Sequence, residues 1–293
     1  MRKIFVVILA FLFAGCSAQS GYPPPSQSER SQTIPARPDA VKEAEKNVLA
    51  ITLVFKITGN DPLSMVTRTF VPKIEAGATG FMIKPGIVIT ARHLLVDSIS
   101  ELAKRGILSE IDPISEFPRS ANGQYEYTFN ATTNINGISE DFKLVPIAMG
   151  KLGQHKDYMA LRAEKYPKNL KPLETEELKE QEFVYSSGYI PVFSSYPDAN
   201  GRMISVLSDI IKESFEGQVY EVIQNMPINK SGVNTLYRIL GDAEEGFSGG
   251  PVLNKKGRVG GVTLEVMRKF IYAVSIKDVN EFIEDLKKRG IIK

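Results

Sequence analysis

A succession of short apolar runs, none long enough to make a helix by itself, limits what this chain can fold into. They lie at residues 80–83, 87–91, 125–129, 142–147, 159–161, 182–186, 203–206, 218–223, 236–240, 251–253, 258–264 and 270–274, and glycine, asparagine and proline separate them. Short runs at this spacing, bounded by turn residues, predict an all-β sandwich or barrel. Residues 48–57 are apolar enough for a further buried strand or a short helix leading into one, and residues 40–47 have helix-forming composition before it. Two helical patterns follow. One is short, at 98–108. The other opens on Ser275-Ile276-Lys277-Asp278, a capping start, and carries Val279, Phe282, Ile283 and Leu286 at helical spacing until Gly290. With 43% hydrophobic and 24% charged residues in 293, the composition excludes wholesale disorder, a collagen and a polytopic membrane protein. No repeat of 20–50 residues is visible.

The first residues differ from the rest. Met1-Arg2-Lys3 precedes an apolar stretch from Ile4 to Ala14, then Gly15-Cys16. Such a stretch is too short to span a bilayer and fits the core of a secretory signal. Phe13-Ala14-Gly15-Cys16 resembles the lipobox of bacterial lipoproteins, with Phe13 where leucine is usual. That resemblance implies cleavage after residue 15 and an acylated, palmitate-type Cys16 as a bilayer anchor, since several acyl chains hold where one is marginal. Ser17 after the cysteine favours the outer membrane, facing the periplasm, in a cell with two membranes; otherwise the outer face of the plasma membrane is expected. Residues 17–39 hold Pro23-Pro24-Pro25, Pro35, Pro38 and many serines and glutamines, a composition for an extended stalk. The expected division is therefore signal 1–15, lipidated stalk 16–47 and folded domain 48–293.

Charge narrows the partners. Loss of Arg2 and Lys3 takes the 36 basic residues to 34, equal to the 34 acidic ones. A neutral domain has no long-range attraction for nucleic acid. One cysteine cannot form an internal disulfide, and with two histidines it is a poor supply for a metal site, so neither metal nor cofactor is expected.

The chemistry must run on few residues. Gly246-Phe247-Ser248-Gly249-Gly250-Pro251 sets a serine among glycines, where backbone can approach a substrate closely and the amides of Gly246 and Ser248 can converge on an oxyanion. A serine needs a base. His93 stands at the end of an apolar strand pattern, whereas His155 lies in the polar loop Gly153-Gln154-His155-Lys156-Asp157 and reads as solvated.

With these residues the chain resembles the chymotrypsin/trypsin-like serine peptidase family in its bacterial, disulfide-free branch. Gly77-Ala78-Thr79-Gly80-Phe81-Met82-Ile83, with Gly86-Ile87-Val88-Ile89-Thr90-Ala91-Arg92-His93, is similar to the strand pair leading to the family's base. Asp157-Tyr158-Met159-Ala160-Leu161 is similar to the strand bearing its carboxylate, and Gly188-Tyr189-Ile190-Pro191 to a turn of its second barrel. The order His, Asp, Ser is that family's order. The resemblance implies two six-stranded antiparallel barrels, about 48–170 and about 178–275, and a C-terminal helix at 276–289. It also implies a serine endopeptidase acting on protein or peptide, with His93 as base, Asp157 as its orienting acid and Ser248 as nucleophile. Asp97 and Asp141 are rival carboxylates, but Asp97 follows the histidine too closely and Asp141 lacks the strand motif.

Two departures matter. Phe247 stands where the animal digestive branch has an aspartate that pairs with a freed N-terminus, so activation by that route is not expected. Asp242, six residues before Ser248, occupies the place of the trypsin pocket carboxylate and implies cleavage after Arg or Lys, but with Glu244-Glu245 it reads equally as a solvated acidic loop. An inactive binding lipoprotein and an esterase remain the competing functions. The stretch 97–136 is longer than a minimal connection and is a candidate lid or docking surface.

Overall fold

The computed structural model describes residues 36–57, 59–60, 67–68, 74–104, 125–135, 137–150, 156–197, 203–224, 235–241, 246–267 and 269–293. Its elements in chain order are α1 (Asp39–Glu45), β1 (Val48–Ile57), β2 (Gly59–Asn60), β3 (Thr67–Arg68), β4 (Ile74–Lys84), β5 (Ile87–Ala91), α2 (His93–Lys104), β6 (Tyr125–Ile135), β7 (Ile138–Met149) and β8 (Tyr158–Ala163). Then come β9 (Phe183–Pro197), β10 (Met203–Ile223), β11 (Leu236–Gly241), β12 (Pro251–Asn254), β13 (Val259–Met267), β14 (Phe270–Ser275) and α3 (Ile276–Lys288).

Six strands close barrel one in the order β1-β4-β5-β8-β7-β6, and six close barrel two in the order β10-β11-β14-β13-β12-β9. All their pairings are antiparallel. This is the double barrel with a C-terminal helix that the sequence implied. On β1 the period of two is plain: Leu49, Ile51, Leu53 and Phe55 fill barrel one beside Met82, Val88, Phe129 and Met159. Barrel two is filled by Val184, Phe215, Val219, Tyr237, Ile239, Val252 and Ile271.

A further core lies between the barrels and α3, where Phe81, Ile87, Ile89, Tyr158 and Val262 meet Val279, Ile283 and Leu286. β5 therefore faces apolar surroundings on both sides, every residue of it buried, which is why its run is continuous and not alternating. The α3 cap forms as its sequence predicted, with Ser275 accepting from the Lys277 amide at 3.2 Å.

Two expectations needed correction. α2, expected from 98, starts five residues earlier, at His93 itself, held by burial of Leu94, Leu95 and Ile99; residues 105–108 of the expected helix lie outside the described residues. The separate runs at 203–206 and 218–223 belong to one 21-residue strand, β10, which pairs with β9 along Met203–Gln218 and with β11 only from Gly217 onward. The candidate lid at 97–136 falls largely outside the described residues.

Candidate active site

Register brings the first two residues together. In the antiparallel pair β5–β8, Ala91 lies opposite Tyr158, so the chain leaving β5 and the chain entering β8 emerge at the same end of barrel one. His93 and Asp157 are the residues just beyond. Asp157 accepts twice from residue 93: Oδ1 from the backbone N–H at 2.8 Å, and Oδ2 from ring Nδ1 at 2.5 Å. Because a carboxylate only accepts, the second bond fixes the proton on Nδ1 and leaves Nε2 as a base.

Both side chains are partly open to solvent, 24% for His93 and 30% for Asp157. Burial opposes a charge on the ring, but the charge and hydrogen bond of Asp157, aided by Asp97 and Glu265, outweigh it, and the His93 pKa lies above its ordinary 6.5. Burial likewise opposes charge on Asp157. His93, through its charge and both hydrogen bonds, and Arg92 prevail and hold the carboxyl below 3.8. Arg92 is buried, its Nε and Nη2 without hydrogen-bond partners among the described residues.

Barrel two supplies the serine. The turn before β12 crosses the seam so closely that a Cβ on Gly249 would lie 2.4 Å from the Ala91 nitrogen and from the Thr79 oxygen. Gly249 has φ +83° and Gly246 φ +106°, both in the left-handed region that side chains disfavour. Ser248 is thus carried against the end of β5, two residues before His93. Gly249 N–H donates to Thr263 O at 2.8 Å and Thr263 N–H to Gly250 O at 2.9 Å, tying the turn to β13.

A register shift between Thr263 and Glu265 leaves Leu264 out of the β14 pairing. Its carbonyl accepts the Ser248 hydroxyl at 3.0 Å. In this arrangement the serine hydroxyl donates to Leu264 O and not to His93. Among the described residues, neither the Gly246 nor the Ser248 amide has a hydrogen-bond partner, so both are free to donate to an oxyanion. Phe247, between them, is buried beside Phe215, with ring centroids 5.3 Å apart. An apolar anchor holds the loop where an ion pair was absent from the sequence.

Of the rival carboxylates, Asp141 is exposed on β7 and accepts from Thr132 Oγ1 at 2.6 Å. Asp97 is one helical turn after His93, exposed, and its charge helps raise the His93 pKa. Cys16, His155 and Asp242 lie outside the described residues. Sequence reasoning missed Arg92, whose charge acts on Asp157, and the Leu264 carbonyl and Thr79, whose hydrogen-bond partners lie on other elements; none of these leaves a local pattern.

Two closed antiparallel barrels meeting at a seam, with a glycine-flanked serine from one and a histidine–carboxylate pair from the other, define the chymotrypsin-like double-barrel class. The trypsin-like peptidase domain family matches residues 78–262. The chain belongs to that family. Similar solved structures include Deg5, at 14% identity and a TM-score of 0.51, covering 83% of this chain and 90% of that one. Another is an inactive form of Rv3671c from M. tuberculosis H37Rv, an alanine-for-serine mutant, at 17% identity and a TM-score of 0.48, covering 87% and 98%. At such identities the likeness extends to the fold alone. No curated protein matches the chain.

Proposed function

We propose that the protein is a serine endopeptidase in which Ser248, His93 and Asp157 form the catalytic triad, tethered to a bacterial membrane through acylated Cys16 and cutting proteins outside the cytoplasm. The observation that carries the chemistry is the doubly bonded Asp157–His93 pair beside the Ser248 turn. In this reading the Ser248 hydroxyl leaves Leu264 O, its partner at 3.0 Å, and donates to His93 Nε2. The oxygen then attacks the scissile carbonyl as Nε2 takes the proton, and the oxyanion accepts from the Gly246 and Ser248 amides. Imidazolium His93, held by Asp157, returns the proton to the departing amine, leaving an acyl-Ser248 ester. Water, deprotonated by His93, hydrolyses that ester and restores the serine.

A fluorophosphonate probe tests this directly. It should label Ser248 in the wild type, with the label absent from Ser248→Ala; an unlabelled, folded wild type refutes the triad. The Ser248–Leu264 bond is what a non-catalytic binding lipoprotein would rest on, and the same labelling separates the two. Relative rates on matched amide and ester substrates distinguish peptidase from esterase. A peptide-library digestion comparing wild type with Asp242→Ser decides whether basic residues are preferred. Detergent partitioning of wild type against Cys16→Ser tests the anchor: both partitioning alike would refute it.

A further inference from the structure

We infer that Thr79 is a positioning residue for the oxyanion site, a single clip through which barrel one sets the shape of the barrel-two loop; the inference rests on the peptidase reading above. Thr79 sits in β4, fully buried, and each of its polar atoms has a partner. Its hydroxyl donates to Gly246 O at 2.7 Å and accepts from the Tyr189 amide at 2.8 Å. Its own N–H donates to Ser248 O at 2.9 Å. Its carbonyl accepts from Thr90 Oγ1 at 2.7 Å, which braces the residue from β5, the strand that delivers His93.

The consequence is geometric. Gly246 O and Ser248 O flank Phe247 and the Ser248 amide, and both carbonyls are pulled toward barrel one. The peptide planes on either side of the Ser248 N–H, and the plane that follows the Gly246 N–H, are thereby fixed, with the Gly246 and Ser248 N–H groups left unpartnered among the described residues. The plane of the Ser248 N–H itself is held by the Gly250 N–H, which donates to Phe247 O at 2.8 Å. Gly246 has φ +106° and no side chain to restrain it, so its orientation depends on what holds its carbonyl. The hydroxyl does this while also gripping β9 at Tyr189. Donors aimed in advance are what stabilise a developing oxyanion, and a small misalignment is felt in turnover.

Thr79→Val keeps the branched shape and removes the hydroxyl; Thr79→Ser keeps the hydroxyl and removes the methyl that lies 3.0 Å from where a Cβ on Gly250 would be. For Thr79→Val, kcat should fall at least tenfold, toward the ~10²-fold effect of losing one oxyanion donor, with KM within about threefold. Amide exchange in residues 246–250, followed by mass spectrometry, should quicken about tenfold or more as the loop loses its clip. Thr79→Ser should restore both to within about fivefold of wild type. If Thr79→Val does not fold, Thr79→Ala is read in the same way. Loop exchange in the hydroxyl-free variant equal to wild type overturns the inference. A serine variant as impaired as the valine one also overturns it, because it assigns the effect to packing. The exchange measurement needs no substrate, so a wild type without peptidase activity would refute the functional reading and leave this test standing.

Discussion

Replacing Asp157 by asparagine probes the charge and the tautomer of His93 together. Asp157 presents two acceptors to residue 93, one to the backbone amide at 2.8 Å and one to Nδ1 at 2.5 Å. Asparagine has one acceptor and one donor at those places. If its oxygen keeps the backbone amide, its NH₂ faces Nδ1, which must then lose its proton; the proton moves to Nε2, and the base is blocked. If the amide is turned over, its NH₂ faces the His93 N–H, two donors opposed at a cost of about 1–3 kcal/mol. That energy alone lowers the productive population about 5- to 150-fold. Loss of the carboxylate also removes the stabilisation of imidazolium, and the combined fall in kcat should approach ~10⁴. The pH profile carries a second signature. Burial is the strongest effect on the wild-type ring and works against its charge, so without Asp157 the His93 pKa drops. The acid limb of kcat/KM, above 6.5 in the wild type, should move downward in the variant. Initial rates between pH 5 and 9, with circular dichroism to verify folding, measure both. A folded variant that keeps more than about a tenth of wild-type kcat, or whose acid limb stays in place, refutes the reasoning.

Other consequences can be measured on the same protein. Because the His93 pKa is raised and that of Asp157 lowered, their pair contributes stability in full between about pH 4 and 6.5. Its contribution fades as pH rises through the folded His93 value or falls through that of Asp157, so the Tm advantage of wild type over Asp157→Asn should peak in that window. Gly188→Ala would place a Cβ 2.6 Å from the Phe247 ring, and overpacking of about 1–3 kcal/mol should appear in urea denaturation together with a lowered kcat. Ile283→Ala empties a buried position between α3 and the barrels and should cost about 2–5 kcal/mol with little change in KM.

What could be read in advance depended on whether the cause was local. The apolar run of β1, the α3 cap and the glycine pattern around Ser248 are local, and each was legible. The middle of β10 was not: Lys212, Glu213 and Ser214 are polar and exposed, in a ribbon that pairs with β9 alone, so they break the apolar pattern between Ile211 and Phe215. There the hairpin ladder, and not side-chain burial, sets the conformation. The start of α2 was missed for a related reason. His93 to Leu95 continues the apolar character of β5, and only the bend at Arg92 separates strand from helix. Thr79 lies inside a quoted motif, but its role depends on Tyr189, Gly246 and Ser248, which are 110 or more residues away.

The two halves of the site tolerate motion differently, and this follows from which barrel holds each bond. The His93–Asp157 pair is internal to barrel one, fixed by the β5–β8 ladder, so a shift of barrel two leaves the base and its tautomer intact. The step from Ser248 to His93 crosses the seam. There the chain relies on the approach of Gly249 to Ala91, the bonds from Thr79 and the apolar packing of Phe247. Slack in the seam should therefore reduce turnover and move the acid limb only by the small contribution of Glu265 on β13, whereas damage to β8 should move the limb further. Loss of turnover with a nearly unmoved limb in Gly188→Ala, beside a moved limb in Asp157→Asn, would separate alignment from electrostatics in one pair of pH profiles. If both substitutions displaced the limb equally, the pair on barrel one would not be independent of the loop on barrel two.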